Sequence, residues 1–131
     1  MLTGRCHCGQ LRWRFDTRPE AATLCNCSVC SRYGVLWIYD YQGEGAHPCG
    51  KARICMTPAA RLEFHFCPTC GGLAAWRAAR PDADGRRRLA LNLRLSDDQD
   101  SIRAIPLSRF DGLDNGMTLP RDGRVVGDLM V

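Results

Sequence analysis

Cys67-Pro68-Thr69-Cys70-Gly71-Gly72 is the stretch that decides how this chain folds, because it has the spacing of a zinc knuckle. Two cysteines three residues apart on a tight turn can direct both sulfurs at one metal ion. The glycines after the second cysteine relieve crowding and let backbone N–H groups point at the thiolates. A knuckle supplies two ligands, whereas a structural zinc takes four. The other ligands must therefore come from elsewhere in the chain.

Two further cysteine clusters can supply them, namely Cys6-His7-Cys8 and Cys25-Asn26-Cys27-Ser28-Val29-Cys30. Assigning Cys6 and Cys8 to the knuckle completes a four-cysteine structural site. The second cluster holds three cysteines within six positions, so it can fill three corners of a tetrahedron and leave the fourth open. That is the ligand count of a catalytic zinc. Cys49 and Cys55 are left over, and we interpret them as thiols without a ligand role.

Three other interpretations of the cysteines stay open at this point. Both zinc sites could be purely structural, which is the commonest role of such clusters. A redox role for the Cys67-x-x-Cys70 pair lacks the βαβ setting of such motifs. A disulfide scaffold fits poorly with nine cysteines, an odd number, and with an N-terminus that has no apolar export signal. We therefore predict a cytoplasmic protein with reduced thiols, and no run of apolar residues is long enough for a transmembrane helix.

The rest of the sequence predicts an all-β fold in a single domain over residues 1–131. In Gln10 to Phe15, Leu11, Trp13 and Phe15 alternate with polar residues and share one face. Arg88 to Leu95 alternates too, with its four leucines facing one way. Seven short strands are predicted, with a turn at Thr57-Pro58 between the third and fourth: 10–15, 35–41, 52–56, 61–66, 73–80, 88–95 and 101–105.

The charge balance argues weakly for a polyanionic partner. The formal net charge is +4, and Arg86-Arg87-Arg88 is the most basic run. Seven zinc-bound thiolates contribute −7 and two Zn²⁺ ions contribute +4, so the charge falls to +1 and no nucleic acid is expected as a partner. The alternative to an enzyme is a non-enzymatic zinc-binding module for a protein or nucleic-acid partner, which this arginine run would serve.

Three motifs in order resemble the glutathione-dependent formaldehyde-activating enzyme family, which includes a centromere-associated branch. Asn92-Leu93-Arg94-Leu95 and Arg109-Phe110-Asp111-Gly112 also look like family segments, so the resemblance covers nearly the whole chain. The three motifs are Gly4-Arg5-Cys6-His7-Cys8-Gly9, Cys25-Asn26-Cys27-Ser28-Val29-Cys30-Ser31-Arg32-Tyr33-Gly34 and Phe66-Cys67-Pro68-Thr69-Cys70-Gly71.

The resemblance implies a tent-like zinc-binding fold of antiparallel sheets with few or no helices, and two zinc ions per chain. It implies that Cys6, Cys8, Cys67 and Cys70 bind a structural zinc and that Cys25, Cys27 and Cys30 bind a catalytic one. The implied activity is that of a carbon–sulfur lyase acting on the adduct of glutathione and formaldehyde, S-hydroxymethylglutathione. Glutathione is carried over from the family alone, and the sequence leaves the substrate and a homo-oligomeric state open.

The chemistry of an open zinc position suggests a mechanism. The open position can bind a substrate thiol and lower the pKa of that thiol, or it can polarise an aldehyde oxygen. A metal that already binds three thiolates is a weak Lewis acid, so thiol binding is the favoured role. Arg32 is either the partner for a substrate carboxylate or a solvated surface arginine. Tyr33 and Trp37 either form an aromatic wall beside it or pack in the core, and core packing is favoured. His65 is a candidate donor to a thiolate or a carbonyl. His7 is expected to support its loop, His47 has no evident role, and Gly43 to Gly50 is expected to be an irregular loop.

Overall fold

The computed structural model describes residues 1–56 and 61–131, and within them the chain forms eleven β-strands, one α-helix and two short 3-10 helices. The predicted turn at Thr57-Pro58 lies outside the described residues. The 3-10 helices span Leu93–Leu95 and Val126–Leu129, and the α-helix, α1, spans Ser28–Tyr33. The strands are β1 (Leu2–Arg5), β2 (Arg12–Phe15), β3 (Ala22–Cys25), β4 (Trp37–Tyr41), β5 (Ala46–Cys49), β6 (Arg53–Met56), β7 (Leu62–Phe66), β8 (Leu73–Ala78), β9 (Arg88–Asn92), β10 (Leu107–Asp111) and β11 (Met117–Leu119).

The strands form two sheets, which confirms the all-β prediction. The smaller sheet has the order β1-β2-β5, and the larger has the order β11-β10-β3-β4-β9-β8-β7-β6. Neighbouring strands are antiparallel except for β3 and β10, which pair in parallel from Ala22 opposite Leu107 to Cys25 opposite Phe110. This parallel pair brings a late segment of the chain to the strand that ends at Cys25.

The larger sheet is covered on both faces at its centre. One face packs against the smaller sheet, where Trp13 and Phe15 belong to the same hydrophobic cluster as Ile38, Leu89 and Leu91. The opposite face, which we call the cysteine face, carries α1, Cys25 and the aromatic side chains of Trp37, Trp76 and Phe64. Burial of this much apolar surface is the main source of stability for a chain of this size.

The alternation in Arg88 to Leu95 is confirmed in part. Leu89, Leu91 and Leu93 all lie in the core between the two sheets. The strand ends at Asn92, and the 3-10 helix that follows turns Leu95 towards the small cluster around Cys6 and Cys67. Ala90 is also buried, on the cysteine face. The face opposite the leucines is therefore buried at Ala90 and Asn92 and exposed at Arg88.

Two predictions were wrong. Residues 101–105 form turns, because Asp98 accepts the backbone N–H of Ser101 and Ile105 donates to the Ile102 carbonyl, so both isoleucines are buried without a strand. The segment Gly43 to Gly50 is not an irregular loop throughout, because β5 within it pairs with β2. None of the helices described in residues 1–56 and 61–131 is long and apolar enough to cross a membrane.

Candidate metal centres

Four cysteines from two loops converge in the first centre, and these loops follow β1 and β7. The sulfurs of Cys6, Cys8, Cys67 and Cys70 all lie within 4.8 Å of one another. Cys8 Sγ lies 3.7 Å from Cys6 Sγ and 3.5 Å from Cys67 Sγ. Four sulfurs held about 2.3 Å from a tetrahedral zinc lie about 3.8 Å apart. The spacing therefore fits a four-thiolate zinc or another tetrahedral soft-metal site.

Local backbone structure places these sulfurs. The amide N–H groups of Leu11 and Cys70 donate to the sulfurs of Cys6 and Cys67 at 3.3 and 3.4 Å, respectively. Gly72 packs so tightly that a Cβ there would lie 3.2 Å from the Cβ of Cys6. The sequence predicts that the glycines relieve crowding. Gly72 does so by allowing the loop of Cys67 and Cys70 to approach Cys6 closely.

Three cysteines around the end of β3 form the second centre. Cys25 is the last residue of β3, Cys27 caps the N-terminus of α1, and Cys30 lies in the first turn of that helix. Their sulfurs also lie within 4.8 Å of one another, and no fourth His, Cys, Asp or Glu joins them among residues 1–56 and 61–131. The Cys30 N–H donates to Cys27 Sγ at 3.4 Å, as Cys70 does to Cys67 in the other centre. The arrangement offers three corners of a tetrahedron.

The short helix behind this centre, which was not predicted from the sequence, ends at a glycine. Gly34 adopts the left-handed conformation, with φ of 63°, and its N–H donates to the Cys30 carbonyl. Glycine enters this conformation without steric cost, so it terminates the helix after six residues. The chain can then turn into β4 and bring Trp37 back to the cluster.

Trp37 supplies a side-chain hydrogen bond to this centre. Its indole Nε1–H donates to the sulfur of Cys30 across 3.1 Å, and both side chains are buried. Trp37 also packs edge-on against Trp76, with ring centroids 6.4 Å apart. Of the two alternatives for Trp37, an aromatic wall or core packing, the structure shows core packing, with a direct contact to a candidate ligand.

The segment after β10 lies against the same cysteines. A Cβ on Gly112 would lie 2.8 Å from Cys25 Sγ and 3.1 Å from the Cβ of Cys27. Asn26 fastens this segment to the cysteine loop, since its side chain donates to Asp111 Oδ1 at 3.0 Å and accepts the N–H of Leu113 at 3.0 Å. The sequence identifies Arg109 to Gly112 as a segment that resembles the family. Only the parallel pairing of β3 and β10 shows what this segment contacts.

Without a metal ion, the three thiols share protons unevenly. The hydrogen bond from Cys30 lowers the pKa of Cys25 to about 5, against the opposing effect of burial. The same contact, together with burial, raises the pKa of Cys30. One sulfur of the cluster is therefore ready to act as a thiolate ligand, and the others release protons when a cation binds.

The other predicted site residues are placed as follows. Arg32 is exposed on α1, and its guanidinium donates to the Ser28 carbonyl at 3.1 Å. Tyr33 is half exposed and packs edge-on against Phe66 at 5.1 Å. Both residues follow the cysteine loop, so they stand near the cluster on the helix that carries Cys30.

The histidines divide into one surface contact and one buried group. His47 Nε2 lies 2.9 Å from Asp16 Oδ2, which joins β5 to the end of β2. The pKa of Asp16 is lowered by this hydrogen bond first and by Arg14 second. His65 Nε2 is buried and has no hydrogen-bond partner among the described residues, so the structure shows no donation from that atom to a thiolate. Cys49 and Cys55 are exposed and free.

The basic run at the start of β9 is largely engaged with the protein itself. Arg86 forms paired hydrogen bonds to Glu44 at 2.8 and 2.9 Å, and Arg87 donates to the Ala79 carbonyl at 2.7 Å. Arg88 alone of the three has no hydrogen bond or ion pair within residues 1–56 and 61–131. The run therefore does not present three free charges to a partner.

Comparison with known proteins adds a family and a fold. Residues 1–104 match the family model described as "Glutathione-dependent formaldehyde-activating enzyme". The structure resembles the crystal structure of a Rhodobacter sphaeroides protein, a structural-genomics target, with a TM-score of 0.60 and 17% sequence identity over 80% of this chain and 98% of that one. At this identity the likeness shows the fold alone. No protein of curated function matches the chain.

Proposed function

The chain belongs to the glutathione-dependent formaldehyde-activating enzyme family, and on that premise we propose that it is a zinc enzyme acting on the adduct of a thiol and an aldehyde. The proposed reaction joins the sulfur of glutathione to the carbon of formaldehyde, and the thiol proton ends on the former carbonyl oxygen. In the reverse direction the carbon–sulfur bond of S-hydroxymethylglutathione breaks, so the activity is that of a carbon–sulfur lyase.

The observation that carries the proposal is the difference between the two cysteine centres. One has four sulfurs and the other has three, with no fourth protein ligand among the described residues. Four thiolates close the coordination sphere of a structural zinc, whereas three protein ligands leave a position for an exchangeable group. We therefore assign the structural zinc to the four-sulfur set and the catalytic zinc to Cys25, Cys27 and Cys30.

A zinc ion at the second centre would supply an open coordination position that lowers the pKa of a substrate thiol. The residues of the chain do the rest. The helix-capping loop holds Cys27 and Cys30 in fixed geometry. Gly112, which has no side chain, allows its backbone segment to approach Cys25 closely. Trp37 takes up part of the negative charge on Cys30 through its N–H.

The aldehyde and the remainder of the thiol substrate need a surface beside the cluster. Tyr33 and Phe66 form an aromatic wall on the side of α1, and we retain Arg32 on the same helix as a candidate partner for a substrate carboxylate. Because β10, beyond residue 104, pairs directly with β3, we also propose that residues 1–131 act as one domain. The oligomeric state is left open.

The proposal is tested by exchange NMR with carbon-13 formaldehyde and glutathione. The zinc-loaded protein should increase the rate of exchange between free formaldehyde and its glutathione adduct in proportion to its concentration. The variant Cys27→Ser, which removes one ligand of the three-sulfur set, should lose the increase while it keeps the zinc of the four-cysteine site. An exchange rate that the loaded protein leaves unchanged, with both zinc ions present, would overturn the proposal.

A further inference from the structure

A row of polar side chains crosses the cysteine face beside the three-cysteine centre. Its members lie on four neighbouring strands of the larger sheet, and we call them the polar row: Ser108 on β10, Thr23 on β3, Tyr39 on β4 and Arg88 on β9. Ser108 is opposite Thr23, and Tyr39 is opposite Ala90, the second residue after Arg88. Alternate residues of a strand share a face, so Thr23 stands beside Cys25 on the cysteine face. The row thus passes beside the candidate zinc centre at Thr23 and ends at Arg88.

The phenol of Tyr39 lies at the middle of this row. Partial burial raises the pKa of Tyr39 to about 12, against the lowering effect of the nearby Thr23 hydroxyl. The charges of Cys30 and Cys25 act on the phenol as well, and so does that of Arg88. The phenol is therefore close enough to both the three-cysteine centre and Arg88 for their charges to affect its pKa.

Among residues 1–56 and 61–131, Arg88 has no acidic partner, and aromatic rings hold it in place. Its guanidinium carbon lies 5.9 Å from the ring centroid of Tyr39 and 5.7 Å from that of Trp76. Such cation–π contacts position an arginine but leave its N–H groups free. By contrast, Arg77, on the neighbouring strand β8, has its guanidinium occupied by Glu63 at 2.7 and 2.9 Å. Arg88 therefore presents an oriented donor fork on the cysteine face, beside the rings of Tyr39 and Trp76.

If the proposed function holds, the negative charge of the zinc centre explains why an arginine lies on the cysteine face. Three thiolates with Zn²⁺ carry a net charge of −1, and a substrate that binds as a thiolate makes the centre more negative. A carboxylate on the same substrate would be repelled unless a cation faces it, and arginine binds carboxylates through paired hydrogen bonds. An extended peptide reaches about 7 to 10 Å over two to three residues. A peptide-like thiol could therefore lie along the row.

We propose that Arg88 is a specificity-determining residue that binds a carboxylate of the substrate, so that the enzyme selects acidic, peptide-like thiols over neutral ones. The substrate sulfur lies at the three-cysteine centre, its amide groups face the hydroxyls of Thr23 and Tyr39, and its carboxylate meets Arg88. This inference rests on the proposed function, and it names the substrate class of the same site.

The test is a calorimetric titration of the zinc-loaded protein with two ligands that differ in charge: glutathione and glutathione diethyl ester. The wild type should bind glutathione about tenfold or more tightly than the ester, as expected for a charge-assisted hydrogen bond. Arg88→Gln should bind the two ligands equally, at about the wild-type affinity for the ester. Arg88→Lys, which keeps the charge, should retain part of the preference.

Arg121→Gln is the matched control, because Arg121 is exposed and follows β11, which lies four strands from β9 in the larger sheet; it should behave as the wild type. Zinc content and the thermal midpoint of each variant verify that the fold is intact. A preference for glutathione that survives in Arg88→Gln would overturn this inference and leave the proposed function standing. If the wild type binds neither ligand, the proposed function fails, and the inference fails with it.

Discussion

Trp37 donates its indole N–H to the sulfur of Cys30 across 3.1 Å, and this bond joins the hydrophobic core to the candidate catalytic centre. Backbone N–H groups also donate to sulfurs in both centres, but this donor is a side chain from a different strand. Outer-shell donors of this kind hold a ligand in place and withdraw charge from it. In a centre with three thiolates, that withdrawal makes the metal a better acceptor for a fourth ligand.

Replacing Trp37 with Phe should weaken metal binding at the three-cysteine centre by about 10- to 100-fold, because the outer-shell donor is lost. The charge-transfer bands of the cobalt-substituted protein should shift for that centre alone. Trp76→Phe is the matched control, since Trp76 packs beside Trp37 and does not donate to a sulfur among the described residues. Equal affinities and spectra in the two variants would show that the Trp37 bond has no effect on the centre.

The two centres should differ in what they contribute to folding. Cys70→Ser removes a ligand of the four-sulfur site and should cost a large part of the roughly 5–15 kcal/mol by which a domain is stable, since structural zinc binding is coupled to folding. Cys27→Ser should lower the zinc content by about one ion per chain with a small change in the thermal midpoint. Elemental analysis and calorimetry check both. Equal loss of stability in the two variants would argue that both zinc ions are structural.

Gly112 should be intolerant of any side chain. In Gly112→Ala the new Cβ would stand 2.8 Å from Cys25 Sγ, so the segment or the sulfur must move. We expect weaker metal binding at the three-cysteine centre, with the four-cysteine centre unchanged. Leu113→Ala is the control, because that side chain is 65% exposed. Metal titration followed by cobalt absorption measures both, and a wild-type affinity in Gly112→Ala would contradict the close approach.

Tyr39 should keep its proton at any pH at which the enzyme works. Burial is the first cause of the rise in its pKa from 10.0 to about 12. A neutral phenol is thus favoured in the folded state, and this contribution to stability is present below about pH 10 and is lost as the pH rises towards 12. The absorbance at 295 nm should show a late ionisation that Tyr39→Phe lacks. The thermal midpoint of that variant should fall less than that of the wild type above about pH 10. Ionisation of all tyrosines at the ordinary pKa would contradict this prediction and would show that Tyr39, which is 40% exposed, has a well-solvated phenol.

The sequence predicted the structure correctly where a local pattern of residues is enough to determine it. The alternation of Leu11, Trp13 and Phe15 fits a strand with one buried face, and all three are buried. The cysteine spacings predicted two groups of four and three sulfurs, which are the two groups that the fold brings together. Each group depends on short turns, whose geometry is determined by a few neighbouring residues.

The features that sequence reasoning missed depend on contacts between distant segments. β3 is buried in the middle of the larger sheet, and its four residues show no clear alternation. The parallel pairing of β3 with β10 has no local signal, and it alone brings Gly112 to Cys25. In the sequence Arg88 is one member of a basic run, and only the contacts of Arg86 and Arg87 reveal that it alone of the three lacks a polar partner among the described residues. A glycine or an arginine of this kind can be recognised only once the strand register is known.

The measurement that tests the central claim most directly is a titration of the cobalt-substituted protein with glutathione under reducing conditions. Cobalt reports tetrahedral thiolate sites by visible absorption, and a new sulfur ligand changes its charge-transfer bands. The account predicts about two cobalt ions per chain, with glutathione altering only the bands that Cys27→Ser lacks. Two bound cobalt ions whose spectrum stays the same at saturating glutathione would contradict it, because the three-cysteine centre would then be closed to thiols.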